Sequence, residues 1–270
     1  VSITHDGRWA IGEVARGTQS EVGLWVSDAA SVLAGAPRWR LLVDMAAEVV
    51  AWGYKDGTLA LLSHKDAPRR KVLALPITAA GIEAAREIVP TGERVITGLA
   101  VAADALYLQA RDGNVIRLHK RAWSAPAGAP AVPVPLPVQG SFKLNGGEGG
   151  PGAANPRLPG LVLDLQGWTR ARQVWLLRAD GSTRNTGLQP AGPRDAPDDI
   201  AATEVLVPSH DGVRVPLSIL HRKVIALNGT HPLLLMGYAS YGYTMDPAFH
   251  RDHLAWLDAG GVIAVAGDDH

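Results

Sequence analysis

The sequence predicts a mixed fold, with an all-β region over residues 1–200 followed by an α/β region over residues 201–270. Two observations predict it. Short apolar or alternating runs, each bounded by Gly, Asp, Pro or Ser, recur through the first 200 residues with almost no helical periodicity between them. Gly (30) and Pro (19) are also abundant, which favours short strands and turns over long helices.

The individual runs predict ten strands in the all-β region. They are Trp9–Val14, Gly23–Ser27, Trp39–Val43, Glu48–Trp52, Thr58–Ser63, Lys71–Leu75, Ala105–Ala110, Val115–His119, Leu161–Leu165 and Val174–Arg178. Asp-Gly pairs at Asp6, Asp56, Asp112 and Asp180 punctuate them, and Asp-Gly favours a two-residue hairpin turn. Their intervals of roughly 50 to 70 residues are near the length of one four-stranded blade. The region is therefore predicted to be an incomplete β-propeller of about four blades, with a β-sandwich as the alternative.

A stretch rich in Gly and Pro, residues 187–199, predicts a linker before the α/β region. Thr203–Val207 and Val213–Leu220 then read as a hairpin around a Ser-His-Asp-Gly turn. Pro232–Tyr238 predicts a buried strand, and Asp246-Pro247 predicts the start of a helix that runs to Asp258. Val262–Ala266 predicts a second buried strand, so residues 232–266 form one βαβ unit.

Composition excludes several classes of function. Lys plus Arg (26) equals Asp plus Glu (26), which argues against nucleic-acid binding. Cys is absent, which excludes disulfides, thiolate metal sites and a cysteine nucleophile. Apolar runs fall short of a membrane helix, so no membrane partner is expected. The first residues lack Met and a leader, which suggests a fragment and leaves localisation open between cytoplasm and periplasm.

No cofactor or metal site is predicted. The Gly-rich stretch 145–152 fits neither spacing of a phosphate-binding loop and is interpreted as a solvated loop. His250 and His253 lie three residues apart on the predicted helix, but a metal would need a third ligand. The Trp residues, Trp25, Trp52 and Trp175 among them, are assigned to core packing.

The α/β region resembles the prolyl oligopeptidase family of serine peptidases. The match is strongest over Val205–Ala266. It includes Gly-Tyr-Ala-Ser-Tyr-Gly at residues 237–242, in which Ala239 replaces the usual glycine. The resemblance implies a propeller that restricts entry to short peptides and an α/β-hydrolase domain, of which residues 201–270 are the N-terminal part. The chain departs from the family at Gly267. In the family the Ser, Asp and His of the triad lie further downstream.

Tyr238 is the one functional residue that the resemblance transfers. It lies at the C-terminal end of the predicted strand Pro232–Tyr238, where α/β sheets place their ligand sites and a phenol could donate a hydrogen bond to a developing oxyanion. The family uses the matching tyrosine in this way. The alternative is a tyrosine that caps the core. None of the eleven serines has Gly at both second-neighbour positions, as a nucleophile elbow requires. Ser209-His210-Asp211 is interpreted as turn chemistry, because adjacent residues cannot converge as a triad.

Two functions therefore stay open. The first is a fragment of a serine-type oligopeptidase that acts through an acyl-enzyme, with this chain alone inactive. The alternative is a non-catalytic propeller-type binding module. A propeller that binds a carbohydrate or cofactor fits residues 1–200 but not the later match. Preference for Pro or for Lys and Arg, and the oligomeric state, are not determined by the sequence.

Overall fold

The computed structural model describes residues 1–126, 128–144, 153–238 and 244–267. Four antiparallel sheets follow one another through residues 2–185, and within each sheet consecutive strands are hydrogen-bonded neighbours. A fifth sheet of mixed direction follows over residues 200–266. The Gly-rich stretch 145–152 and the Ser-Tyr-Gly segment 240–242 lie outside the described residues.

The strands of the first four sheets are mostly short. Sheet 1 contains β1 (Ser2–Ile3), β2 (Trp9–Ala15), β3 (Val22–Asp28) and β4 (Arg40–Val43), with helix α1 (Ala29–Leu33) after β3. Sheet 2 contains β5 (Val49–Lys55), β6 (Thr58–Ser63), β7 (Lys71–Pro76) and β8 (Arg86–Val89). Sheet 3 contains β9 (Val95–Val101), β10 (Ala105–Asp112), β11 (Val115–Ala122) and β12 (Val132–Val134). Sheet 4 contains β13 (Leu161–Gly167), β14 (Arg170–Leu177) and β15 (Thr183–Asn185).

The sheets stack in series, and each shares a core with the next. In β6, Leu59 and Leu61 pack in the core between sheets 1 and 2, whereas Ala60 and Leu62 pack in the core between sheets 2 and 3. Successive residues of a strand point to opposite faces, so both faces of sheet 2 are buried. This series of face-packed meanders is the architecture of a propeller and not of a two-sheet sandwich. No core cluster among the described residues joins sheet 4 to sheet 1.

The Asp-Gly turns lie at hairpins, but not at equivalent ones. Asp56 and Gly57 form the two-residue turn between β5 and β6, with φ of 46° and 83°. Asp6-Gly7 likewise joins the first two strands of its sheet, whereas Asp112-Gly113 and Asp180-Gly181 lie between the second and third strands of theirs. Each of the four sheets therefore contains one Asp-Gly pair, but the pair does not mark the same connection in every sheet. Strands β1, β8, β9, β12 and β15 were not predicted. Strands β1, β12 and β15 have only two or three residues each, Arg86 and Glu87 interrupt the apolar run of β8, and β9 follows directly on a polar turn.

The first Asp-Gly turn also links sheet 1 to sheet 2. The Asp6 carboxylate accepts hydrogen bonds from Thr4 Oγ1 (2.6 Å), from the Arg8 N–H (3.1 Å) and from Tyr54 Oη (2.7 Å). Burial opposes ionisation, but these hydrogen bonds prevail and lower the pKa of Asp6 to about 2. Burial and the same carboxylate raise the pKa of Tyr54 to about 12.

Replacement of Asp6 by Asn should therefore reduce stability in a pH-dependent way. The folded-state pKa is depressed, so the contribution is complete above the unfolded-state pKa near 4 and is lost as pH falls towards 2. We expect a loss of about 1 kcal/mol at pH 7, because the carboxylate is exposed and solvent weakens its bonds. Urea unfolding between pH 2 and pH 7 measures it, with the exposed Asp198→Asn as control. An Asp6→Asn effect that is the same at pH 2 and pH 7 would contradict the assignment.

Sheet 5 combines a hairpin with a βαβ unit. Its strand order is β16 (Ile200–Pro208), β17 (Arg214–Arg222), β19 (Val262–Ala266) and β18 (Leu233–Met236), with helix α2 (Arg251–Asp258) between β18 and β19. Strands β18 and β19 are parallel, as the sequence predicts. Leu254 and Leu257 of α2 pack with Ile263 and Val265 on one face of the sheet. Neither helix of the described chain has the length and apolar content needed to cross a membrane.

Two predictions about sheet 5 were wrong. Strand β18 is an edge strand with one neighbour, and Leu233, Leu234 and Leu235 are 57%, 43% and 64% exposed. An apolar run shows what a strand needs to bury, but not which neighbours cover it. The helix begins at Arg251 and not at Asp246. The Asp246 carboxylate forms an ion pair with Arg111 of sheet 3 and does not cap the helix.

Candidate active site at the carboxyl edge of sheet 5

Tyr238 lies at the carboxyl end of the parallel strand pair. Strand β18 ends at Met236, and Tyr238 follows two residues later with 53% of its surface exposed. The pairing of β18 with β19 runs from Leu233↔Val262 to Met236↔Val265, so both strands end at the same edge. A Cβ placed on Gly237 would lie 3.5 Å from the Cβ of Ala266. Ligands of α/β sheets bind outside such carboxyl ends.

This edge lies against the propeller face formed by the β10–β11 turn. Gly267, directly after β19, donates its N–H to the carbonyl of Pro216 at 2.8 Å. A Cβ on Gly267 would clash with Oδ1 of Asn114, which belongs to the β10–β11 turn. Asn114 is 1% exposed, and its Nδ2 donates to Ser218 Oγ at 3.1 Å. A buried polar contact of this kind fixes the register of two surfaces, because separation would leave both groups unsatisfied.

The segment that leads from Tyr238 towards α2 is held on the same face. Arg111 Nη2 lies 2.7 Å from Asp246 Oδ1, and both side chains are largely buried. Ser141 Oγ donates to the carbonyl of Pro247 at 2.6 Å. Both chain segments that leave the carboxyl edge are therefore attached to the propeller. A group bound at this edge would lie beside the propeller face.

Ion pairs connect the predicted linker, residues 187–199, to helix α2. Asp195 is 8% exposed, and its Oδ1 lies 2.6 Å from Arg251 Nη2. The backbone N–H of Gly192 is the main cause of a lowered pKa for Asp195, and Arg251 adds to it. Arg222 forms ion pairs with Asp199 and with Asp258 at the end of α2. These contacts orient the helix that follows the candidate site.

The Ser-His-Asp sequence is a hairpin turn, as predicted. Ser209 Oγ lies 3.3 Å from His210 Nδ1, and the carboxylate of Asp211 accepts the N–H of Val213 at 3.1 Å. The turn connects β16 to β17, and His210 and Asp211 are exposed. The asparagine and serine that hold the edge, Asn114 and Ser218, were not singled out by the sequence. No local pattern could have found them, because their contact joins residues 104 positions apart.

The ligand atoms of His250, Asp252 and His253 lie within 4.8 Å of one another. Burial, and then the neighbouring His250, lower the pKa of His253. Three adjacent donors are one short of a closed tetrahedral site, and His250 and Asp252 are exposed.

Of the tryptophans assigned to the core, Trp52 and Trp175 pack against core clusters, whereas Trp25 is 38% exposed.

Comparison with known proteins supports the assignment of the propeller region. Residues 1–148 of the 270 match the family model of the prolyl oligopeptidase N-terminal β-propeller domain. The chain is similar to dipeptidyl aminopeptidase BI of Pseudoxanthomonas mexicana, with 36% identity over 87 residues, which is 32% of this chain and 12% of that enzyme. It is 29% identical over 69 residues to the prolyl endopeptidase of Elizabethkingia meningoseptica, covering 26% of this chain and 10% of that enzyme.

Solved structures show the same fold. A structure from a study of two prolyl endopeptidases superposes with a TM-score of 0.79 at 23% identity, over 98% of this chain and 37% of that one. Oligopeptidase B of Leishmania major superposes with a TM-score of 0.78 at 16% identity, over 96% of this chain and 38% of that one. The chain thus spans little more than a third of these relatives. Because the propeller model covers more than half of its residues, the chain belongs to the prolyl oligopeptidase family of serine peptidases.

Proposed function

We propose that this chain is part of a serine-type oligopeptidase that cleaves short peptides through an acyl-enzyme, with the propeller restricting access. Residues 1–200 would be the partial propeller, and residues 201–270 would begin the α/β-hydrolase peptidase domain. The observation that carries the proposal is the position of Tyr238, at the carboxyl edge of a parallel strand pair that lies against the propeller face. A peptide bound there would be enclosed between the two regions.

The proposed role of Tyr238 is to donate a hydrogen bond to the oxyanion. In acyl transfer, negative charge develops on the carbonyl oxygen of the scissile bond, and a fixed donor stabilises it. A phenol suits this role because its O–H group donates a hydrogen bond without carrying a charge. No serine within residues 1–270 has the elbow context of a nucleophile. The nucleophile, base and acid would therefore come from outside these residues.

The exposed apolar surface of β18 also supports an α/β-hydrolase sheet. Leu233 and Leu235 are more than half exposed on an edge strand that is parallel to its neighbour. An uncovered apolar edge is a hazard for aggregation, and a further strand paired to β18 would remove it. Parallel sheets are normally covered on both faces.

The substrate is proposed from the relatives. The prolyl oligopeptidase B of Galerina marginata, which superposes with a TM-score of 0.76 at 19% identity, has been solved bound to a 25mer macrocyclization substrate. For this protein, short chromogenic peptides ending in Pro or in Arg, offered to the full-length protein, would test peptidase activity and preference together. A fluorophosphonate probe should label one serine of the full-length protein. Absence of both labelling and cleavage would favour the binding module.

Residues 1–270 expressed alone should not react with the same probe. A serine hydrolase needs a nucleophile, a base, an orienting acid and two oxyanion donors, and this chain offers a candidate for one donor. We expect labelling at the background level of a heat-denatured sample, with a full-length relative as positive control. Stoichiometric labelling of any serine in this chain, blocked by a peptide substrate, would show that the assignment is wrong.

A further inference from the structure

A cavity lies on the opposite side of the propeller from the candidate active site. It has a volume of about 270 Å³ and lies between sheets 2 and 3. Asp56 in the β5–β6 turn, Val101 at the end of β9 and Trp123 in the connection after β11 line it. Asp56 and Val101 lie where the first strand of a sheet connects to the second, and Trp123 lies where the third strand connects to the fourth. Asn114, which is hydrogen-bonded to sheet 5, instead lies in the connection between the second and third strands of sheet 3. Successive connections of a meander alternate between the two faces, so the cavity is remote from Tyr238.

Arg121 is the buried charge of this cavity. It is 5% exposed, and its guanidinium donates to the carbonyls of Ala125 (3.2 Å) and Pro126 (2.8 Å). Its Nε is buried and makes no hydrogen bond in the described part of the chain. Burial, and then the charge of Arg86, lower the pKa of Arg121. A buried cation whose contacts are neutral carbonyls retains an unbalanced charge.

The neighbouring charged groups do not balance Arg121. Arg86 also lines the cavity, and within the described ranges neither arginine forms an ion pair. Asp56, the one carboxylate among the residues that line the cavity, is bound to Lys55 Nζ at 2.8 Å. Because this carboxylate is paired with the ammonium group of Lys55, the positive charges of the two arginines are not compensated by the residues that line the cavity. An anion placed between them would form charge-assisted hydrogen bonds, which are about twice as strong as neutral ones.

Apart from Thr58, the uncharged part of the wall is apolar or glycine. Leu59, Ile88, Val101 and Trp123 contribute to it beside the two arginines. Because a cavity of about 270 Å³ is slightly below the range of drug-sized pockets, it suits a ligand of amino-acid size. We propose that this cavity binds a small carboxylate with an apolar body, of the class of N-acylated amino acids. This site is independent of the proposed peptidase activity.

Isothermal titration of the full-length protein with N-acetyl-leucine tests the proposal, and N-acetyl-leucinamide is the matched ligand without charge. We expect the acid to bind at least about tenfold more tightly than the amide, because only the acid pairs with the arginines. Arg86→Gln should weaken binding of the acid about tenfold, since Arg86 is exposed and its loss should not unfold the protein. Arg38→Gln, which removes an exposed arginine from the connection that precedes β4, should bind as the wild type does.

Further measurements distinguish a carboxylate ligand with an apolar body from inorganic phosphate. Arg121→Lys keeps the charge and loses the planar donors, so it should weaken binding of the acid but not abolish it. Competition by inorganic phosphate would support the anionic half of the site. Phosphate that binds more tightly than the acid would overturn the assignment to a carboxylate with an apolar body. Equal binding of acid and amide, no binding of the acid at millimolar concentration, or an unchanged affinity in Arg86→Gln would each overturn the proposal.

Discussion

Replacement of Tyr238 by Phe in the full-length protein should lower kcat for peptide hydrolysis by about 10²–10³, with KM nearly unchanged. This is the usual effect of removing one oxyanion donor, and it falls on kcat because the hydrogen bond forms fully only in the transition state. Phe keeps the ring of Tyr238, so contacts at the end of β18 should persist. Steady-state kinetics on a chromogenic peptide measures the change.

Tyr54→Phe is the matched control. Tyr54 also loses one hydroxyl, but its partner is Asp6 at the contact between sheets 1 and 2. That variant should lose stability and keep its kcat. If Tyr238→Phe left kcat unchanged, or if both variants lowered it equally, the oxyanion assignment would be wrong.

Leu61→Ala and Leu62→Ala should each cost about 2–5 kcal/mol of the free energy of unfolding, the range found for buried Leu-to-Ala substitutions. Both side chains are 0% exposed, although they point to opposite faces of β6. Leu61 lies in the core with sheet 1, and Leu62 lies in the core with sheet 3. Equal and large costs are expected only if sheet 2 is buried on both faces, as in a stack of blades.

Denaturant unfolding followed by circular dichroism measures these costs. Val162→Ala is the control, because Val162 is 48% exposed on a strand of sheet 4 and its truncation should change stability by no more than about 0.5 kcal/mol. A cost for Leu62→Ala as small as that for Val162→Ala would contradict the serial packing of the sheets.

Local signals in the sequence determined most of the strands of this protein and the family to which it belongs. Asp56-Gly57 forms the predicted turn because both residues tolerate positive φ, and the βαβ unit follows from two apolar runs separated by a helix of the right length. Tyr238 was proposed as a functional residue because a turn motif resembles one in a known family. The sequence also predicts the buried face of α2, because the spacing of Leu254 and Leu257 places them on the same side of a helix.

Only the tertiary structure decided which surfaces meet. Asp246 is a good helix cap by local chemistry, but Arg111, 135 positions away, takes its carboxylate. The leucines of β18 read as core, but a strand at a sheet edge has one neighbour to cover it. Arg86 and Arg121 were not singled out by the sequence, and only the packing of sheets 2 and 3 brings them to one cavity. Burial and charge balance depend on neighbours distant in the chain, and no local pattern of residues records them.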